Sequence, residues 1–252
     1  MIPKIIHYCW FGGNPLPKDA QMYITSWKKF LPDYEIKEWN ESNFDVNCCP
    51  YVKDAYEAKK YAFVSDYARF YVLHQEGGLY FDTDVEVIRN MNHIIAAGAF
   101  MGFEKSLATQ NPKSTAPLGV AAGLGMGANP SMPVLKELLD LYDSKPSFIF
   151  GEGTIVFYTT EVLKKYGLLN EHKKQNIGGF TIYPAEYFCP MDSTTGLTLL
   201  TENTVSIHHY SCSWMDQKSL SFRLHLLKNK LIKILGAKVV FKIIELIKNV
   251  KL

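Results

Sequence analysis

Two carboxylates, Asp82 and Asp84, stand one residue apart, just after the apolar run Leu79-Tyr80-Phe81. Hard cations such as Mg²⁺ and Mn²⁺ take oxygen ligands and keep positions for water and substrate phosphates. An Asp-x-Asp pair can therefore hold a cation that bridges a diphosphate and offsets its charge as it leaves. Residues two apart on an extended chain face opposite sides. Both aspartates can address one ion only if the backbone turns there, or if one acts through water or a bound sugar. Upstream, Asp66 and Arg69 are three apart and share a face if that stretch is helical. Arg69 offers a charge-assisted bond to a phosphate or sugar oxygen.

The elements that must position these groups follow from pattern. The apolar, β-rich stretch 4–10 predicts a buried strand ending near Gly12-Gly13, and Pro17 opens a helix to about Phe30. The alternating stretch 34–39 predicts a second strand. Strand, helix, strand is the opening of a doubly wound α/β sheet. Residues 51–75 read as two helices stopped by Gly77-Gly78, because glycine accepts the backbone that ends a helix. Residues 79–81 and 85–88 then read as short strands, so the two aspartates fall at a strand's carboxyl end, where ligands collect in open α/β sheets. Further along, 109–117 reads as loop, 118–126 as glycine-rich and apolar, 133–142 and 154–166 as helices, and 180–184 and 204–209 as strands.

Composition excludes several classes. With 252 residues and 47% hydrophobic content the chain can build one sizeable core. Net charge is only +2, which gives no expectation of nucleic-acid binding. The charge is uneven: from Met215 onward nine Lys or Arg face two acids. Residues 219–252 also carry leucines, isoleucines and valines at roughly helical spacing, with Gly236 between two expected helices. The tail, taken as 216–252 beyond a body of 1–215, is expected to lie in a membrane interface or to dock on the body. Five cysteines at irregular spacing fit reduced thiols, and with no apolar leader at the start they give an expectation of a cytoplasmic protein. No Walker loop, no G-x-G-x-x-G after the first strand and no G-x-S-x-G elbow occurs.

The block Ser65-Asp66-Tyr67-Ala68-Arg69, Leu73, Gly77-Gly78, Tyr80 and Asp82-Thr83-Asp84 resembles the Asp-x-Asp sugar-binding glycosyltransferases of family thirty-two, many of them enzymes of bacterial capsule and cell-surface polysaccharide. More distantly it is similar to the glucosyltransferase domains of large clostridial toxins. Residues 2–10 at the front, Tyr183-Pro184 with Phe188-Cys189-Pro190, and His208-His209 through Ser213-Trp214 extend the likeness. The resemblance implies a GT-A-type, nucleotide-sugar-binding, Rossmann-like fold with a mixed sheet, a divalent metal (Mn²⁺ or Mg²⁺) and retention of anomeric configuration. It implies that Trp10 stacks on the base, Asp66 and Arg69 hold donor sugar and phosphate, and Tyr80 lines the donor pocket. Asp82 would contact ribose, sugar and metal, Asp84 would ligate the metal, His209 would complete its shell, and Trp214 would touch the diphosphate. His208 is a rival to His209, since period-two alternation lets only one of them face the site. Where relatives carry an amide, this chain has Ala121-Ala122-Gly123-Leu124-Gly125.

The expected activity is metal-dependent transfer from a nucleotide sugar, with UDP preferred to GDP, onto a glycan or lipid-linked glycan acceptor at the inner face of the plasma membrane. Two other classes stand beside it. One is a non-catalytic nucleotide- or carbohydrate-binding module of the same fold. The other is a membrane-surface adaptor acting through its basic tail.

Overall fold

The computed structural model describes residues 1–104, 118–192, 195–211, 220–236, 239–240 and 242. The expected loop at 109–117, together with Cys212, Ser213 and Trp214, lies outside them. So does most of the chain beyond Gly236.

The expected opening is present. Strand β1 (Ile5–Cys9) leads through helix α1 (Lys18–Phe30) to β2 (Glu35–Trp39), which pairs with β1 in parallel. Helices α2 (Pro50–Glu57) and α3 (Tyr61–Glu76) carry the chain across, and β3 (Gly78–Tyr80) pairs in parallel with the other edge of β1. Strand order therefore reverses between β1 and β3. Such a switch point opens a crevice at the carboxyl ends of the two strands. Trp10 leaves one of them and Asp82 the other.

Six more strands and three more α-helices follow among the described residues before the last strand described below. They are β4 (Val85–Val87), α4 (Asn92–Ala96), β5 (Phe100–Phe103), β6 (Val120–Ala121), β7 (Met126–Ala128), α5 (Pro133–Asp143), α6 (Ile155–Lys165), β8 (Gln175–Ile177) and β9 (Phe180–Tyr183). The main sheet runs β2-β1-β3-β7-β5-β9-β8, with β6 beside β5. Antiparallel β7 separates β3 from β5, and β5 pairs with β9 in parallel. Hence β1, β2, β3, β5 and β9 point the same way, and their carboxyl ends share one edge. The mixed α/β sheet is the GT-A-like architecture that the resemblance implies.

Strand β4 leaves this sheet. It pairs antiparallel with β10 (Ser206–His208) to form a separate two-stranded ribbon. Helix α1 braces the ribbon. Trp27, fully buried, donates its indole N–H to the Val85 carbonyl at 2.8 Å, and the Val87 amide donates to Ser26 Oγ at 2.9 Å. Paired edge groups of β4 are thus satisfied on both sides, as a buried backbone requires.

The turn from α3 into β3 depends on Gly77 and Gly78, whose φ values are +65° and +104°. A Cβ on Gly78 would meet the Ile5 carbonyl at 2.7 Å, so β3 can approach β1 here only as glycine. His7 fixes the same junction. Its Nε2–H donates to the Gly77 carbonyl at 2.8 Å while Nδ1 accepts from Trp39 Nε1 at 3.0 Å. Burial holds its pKa below the usual histidine range, against the Gly77 carbonyl, which favours the charged ring. The unfolded chain then binds the proton more tightly than the fold does. The stabilisation is complete above about pH 6.5 and is lost as pH falls through the lower folded value. Melting temperature should therefore decline on acidification from pH 7.5 to 5, and the decline should be shallower in His7→Gln. Parallel profiles for the two proteins would assign the decline to other groups.

The tail begins as helix α7 (Leu220–Leu235). No helix among the described residues is long and apolar enough to cross a membrane.

Candidate nucleotide-sugar and metal site

Helix α3 presents Asp66 and Arg69 on one face. Arg69 Nη2 lies 2.9 Å from Asp66 Oδ1, and its Nε donates back to the Ser65 carbonyl at 3.0 Å. The guanidinium spans to the end of β3, where Nη1 is 3.3 Å from Asp82 Oδ2. It also covers the Tyr80 ring, 4.9 Å from its centroid. The Tyr80 hydroxyl donates to Asp82 Oδ1 at 3.1 Å. One cation thus orders two carboxylates and an aromatic ring, nearly all of it buried.

This cluster is anionic. Burial drives the Asp66 pKa up to about 7, Arg69 works against that, and the charge on Asp82 adds to it. Arg69 stays a cation: its burial is outweighed by Asp82 and its other anionic neighbours. Next to the cluster, burial pushes the Cys9 thiol up to about 12, which leaves it a neutral packing group and not a nucleophile.

After Asp82 the backbone turns, with the Val85 amide donating to the Asp82 carbonyl at 3.0 Å. The turn swings the second aspartate out of the main sheet and into the β4–β10 ribbon. Asp84 Oδ1 lies 3.1 Å from His208 Nε2, and its Oδ2 accepts from the Ser211 amide at 2.8 Å and the Ser211 hydroxyl at 2.9 Å. Burial opposes the charge on Asp84, but His208 and the two Ser211 bonds outweigh it and hold the carboxyl well below the ordinary range. Reciprocally, Asp84 raises the His208 pKa against the effect of burial.

The histidine expected in the metal shell is corrected. The alternation that admits only one of the pair selects His208. His209 points the other way: its Nε2 lies 2.9 Å from Glu86 Oε2, and its ring stacks on Tyr23 at 4.5 Å between centroids. The sequence carried the alternation rule but not the register of β10, in which His208 stands opposite Val85.

Asp82, Asp84 and His208 each offer one ligand atom, all within 4.8 Å of one another. Ligands on opposite sides of a hard cation are separated by about 4.2 Å, twice a 2.1 Å bond, so a small closing movement fits the three around one ion. The Nδ1 atom of His208 is buried without a hydrogen-bond partner, a polar atom awaiting a ligand or water. Two carboxylates and an imidazole suit Mn²⁺ or Mg²⁺, and the nitrogen favours Mn²⁺.

Trp10 is half-buried at the end of β1, its indole N–H tied to the Asn14 carbonyl at 2.6 Å. Trp214 lies outside the described residues. Sequence reasoning missed Ser211, whose role depends on a long-range backbone contact. It also missed Gly123, noted only as a departure. The Gly123 carbonyl accepts from the Asp82 amide at 3.3 Å, and a Cβ at this position would lie 2.0 Å from Asp82 Oδ2.

Residues 17–101 match the family described as "Glycosyltransferase sugar-binding region containing DXD motif". An uncharacterized glycosyltransferase, L373, of Acanthamoeba polyphaga mimivirus is 29% identical over 110 residues, 40% of this chain and 42% of that protein. Inositol phosphoceramide mannosyltransferase 3 of Schizosaccharomyces pombe is 27% identical over 154 residues, 60% of this chain and 39% of that protein. The matches thus span about two fifths of those relatives' length. Among solved structures, the PaToxG glycosyltransferase superposes with a TM-score of 0.50 at 19% identity, covering 65% of this chain and 69% of that one. The stretch that carries the aspartate pair is thus similar to the Asp-x-Asp sugar-binding region of glycosyltransferases, and it is borne on a GT-A-like fold.

Proposed function

We propose that the protein transfers a sugar from a nucleotide-sugar donor, UDP-linked in preference to GDP-linked, with retention of configuration. The observation that carries this is the joint placement of Asp82, Asp84 and His208 beside the Arg69 cluster at the β1–β3 switch point. Asp84, Asp82 and His208 would hold a divalent cation, whose charge supports departure of the nucleoside diphosphate. Arg69, ordered by Asp66 and backed by Tyr80, faces the donor's sugar and phosphate. Trp10 offers a ring face to the base from the neighbouring strand end. Trp214 keeps the diphosphate contact implied by resemblance.

The acceptor is proposed to be a glycan or lipid-linked glycan, as in bacterial surface polysaccharide assembly, met at the inner membrane face. Helix α7 supports the membrane part. Leu220, Leu224, Leu227, Leu231 and Ile234, spaced four, three, four and three, are all exposed. Arg223, Lys228 and Lys230 flank this stripe. Pairing with a second copy would set these cations against each other, whereas an anionic lipid surface takes both stripe and flanks. Co-sedimentation with anionic vesicles that persists after removal of residues 216–252 would refute that contact.

Calorimetry of UDP and GDP with and without Mn²⁺ tests the central reading. UDP is expected to bind at least about tenfold more tightly with Mn²⁺, a difference of about 1.4 kcal/mol. No nucleotide binding under any condition would overturn it. Binding without metal-dependent donor hydrolysis or transfer would favour the non-catalytic module.

A further inference from the structure

Beyond the Arg69 and Asp84 clusters, one carboxylate on the same sheet edge has no part in donor or metal binding. Glu104 follows directly on β5, which runs parallel to β1 and β3, so it leaves the sheet at the edge where Trp10 and Asp82 leave it. Its amide donates to the Gly119 carbonyl at 2.7 Å, which fixes the backbone there. Its side chain is half-buried.

The neighbouring carboxylates are committed. Asp66 and Asp82 share Arg69, and Asp84 is bonded to His208 and Ser211. Glu104 makes no salt bridge among the described residues. Its partner is neutral: the Tyr210 hydroxyl, 3.3 Å from Oε1. That hydroxyl also lies 2.9 Å from Cys189 Sγ, and the Tyr210 ring stands edge-on to His208 with centroids 4.3 Å apart. Tyr210 therefore links Glu104 to the metal-facing histidine. Burial raises the Glu104 pKa against His208 and Tyr210, in keeping with a carboxylate short of strong partners.

We propose that Glu104 orients the incoming acceptor, its carboxylate accepting a hydrogen bond from the attacking hydroxyl and Tyr210 holding it in place. This rests on the transferase reading above. In the transfer, the bond from the sugar's anomeric carbon to the diphosphate oxygen breaks and the acceptor oxygen bonds that carbon. The acceptor's proton passes to the released diphosphate. Glu104 takes no net proton; it sets the approach of the oxygen, and a misplacement of about 1 Å is enough to slow such a step about 100-fold.

The test uses water as the acceptor, with Mn²⁺ and each of UDP-glucose, UDP-galactose and GDP-mannose as donor. Donor hydrolysis is measured alongside nucleotide affinity by calorimetry and the melting midpoint. Glu104→Ala should lower the hydrolysis rate about 100-fold, while Glu104→Gln, which keeps an acceptor oxygen, should lose at most about tenfold. Tyr210→Phe should fall between them. Nucleotide affinity with Mn²⁺ should stay within about twofold in all three. Hydrolysis by Glu104→Ala at the wild-type rate would overturn the proposal. So would a parallel loss of nucleotide affinity, which would place Glu104 in the donor site. If the wild type binds or turns over none of the donors, the transferase reading itself fails and this inference falls with it.

Discussion

Asp84→Asn is expected to abolish Mn²⁺-dependent nucleotide binding and to lower donor turnover by about 10²–10³-fold or more. Asn keeps the size of the side chain and an oxygen for Ser211, so the β4–β10 ribbon should survive and the melting midpoint should move little. What is lost is the charge. The Asp84 carboxyl is held ionised, because His208 and the Ser211 donors stabilise its anion despite burial. A neutral amide there leaves His208 without its counter-charge and leaves Asp82 as the remaining carboxylate of the candidate metal set. Calorimetric titration of UDP with Mn²⁺ on both proteins gives the answer directly. Undiminished metal-dependent binding by Asp84→Asn would remove Asp84 from the metal set.

Gly123→Ala should be nearly as damaging although it alters no charge. The added methyl would lie 2.0 Å from Asp82 Oδ2 and 3.0 Å from Arg69 Nη1, well inside contact distance. Asp82 cannot yield freely, since Arg69 and Tyr80 hold its two oxygens from different sides. Either those bonds break or the 121–125 segment retreats and the amide bond from Asp82 to the Gly123 carbonyl goes with it. We expect about 1–3 kcal/mol of lost stability and a roughly 100-fold fall in turnover. The cause can be isolated by a double-mutant cycle. In an Asp82→Ala background the same methyl meets no carboxylate, so its further effect on turnover should be small. Equal effects in both backgrounds would show that the glycine serves the fold alone.

The sequence showed most of the scaffold because its signals there are local. Leu31-Pro32 and Gly77-Gly78 punctuate the chain, and the periodicities of 18–30, 133–143 and 155–165 stay within single elements. The centre of the site was legible for the same reason: Asp66 and Arg69 sit one turn apart, and Asp82 and Asp84 flank a turn. Other features depend on pairings between distant strands, which no local pattern encodes. The selection of His208 over His209 follows from the register of β10 on β4. Ser211, Glu104 and Tyr210 gain their places through contacts across more than 100 positions. Gly123 looked like a missing amide. Its real constraint is the space taken by a carboxylate 41 positions earlier, which only coordinates reveal.

The ribbon of β4 and β10 has a consequence for how the protein is made. Asp84 emerges from the ribosome early, but Ser211, which holds its second oxygen, follows 127 residues later. In the meantime the main sheet through β3 can begin to form, with Asp66 and Asp82 able to pair with Arg69 while Asp84 still lacks its partners. A cation held by Asp82, Asp84 and His208 would thus be captured only after synthesis has passed residue 211 and β10 has docked on β4. A chain that stalls earlier carries the recognisable motif yet lacks its imidazole, so a bound cation would distinguish a completed site from an interrupted one.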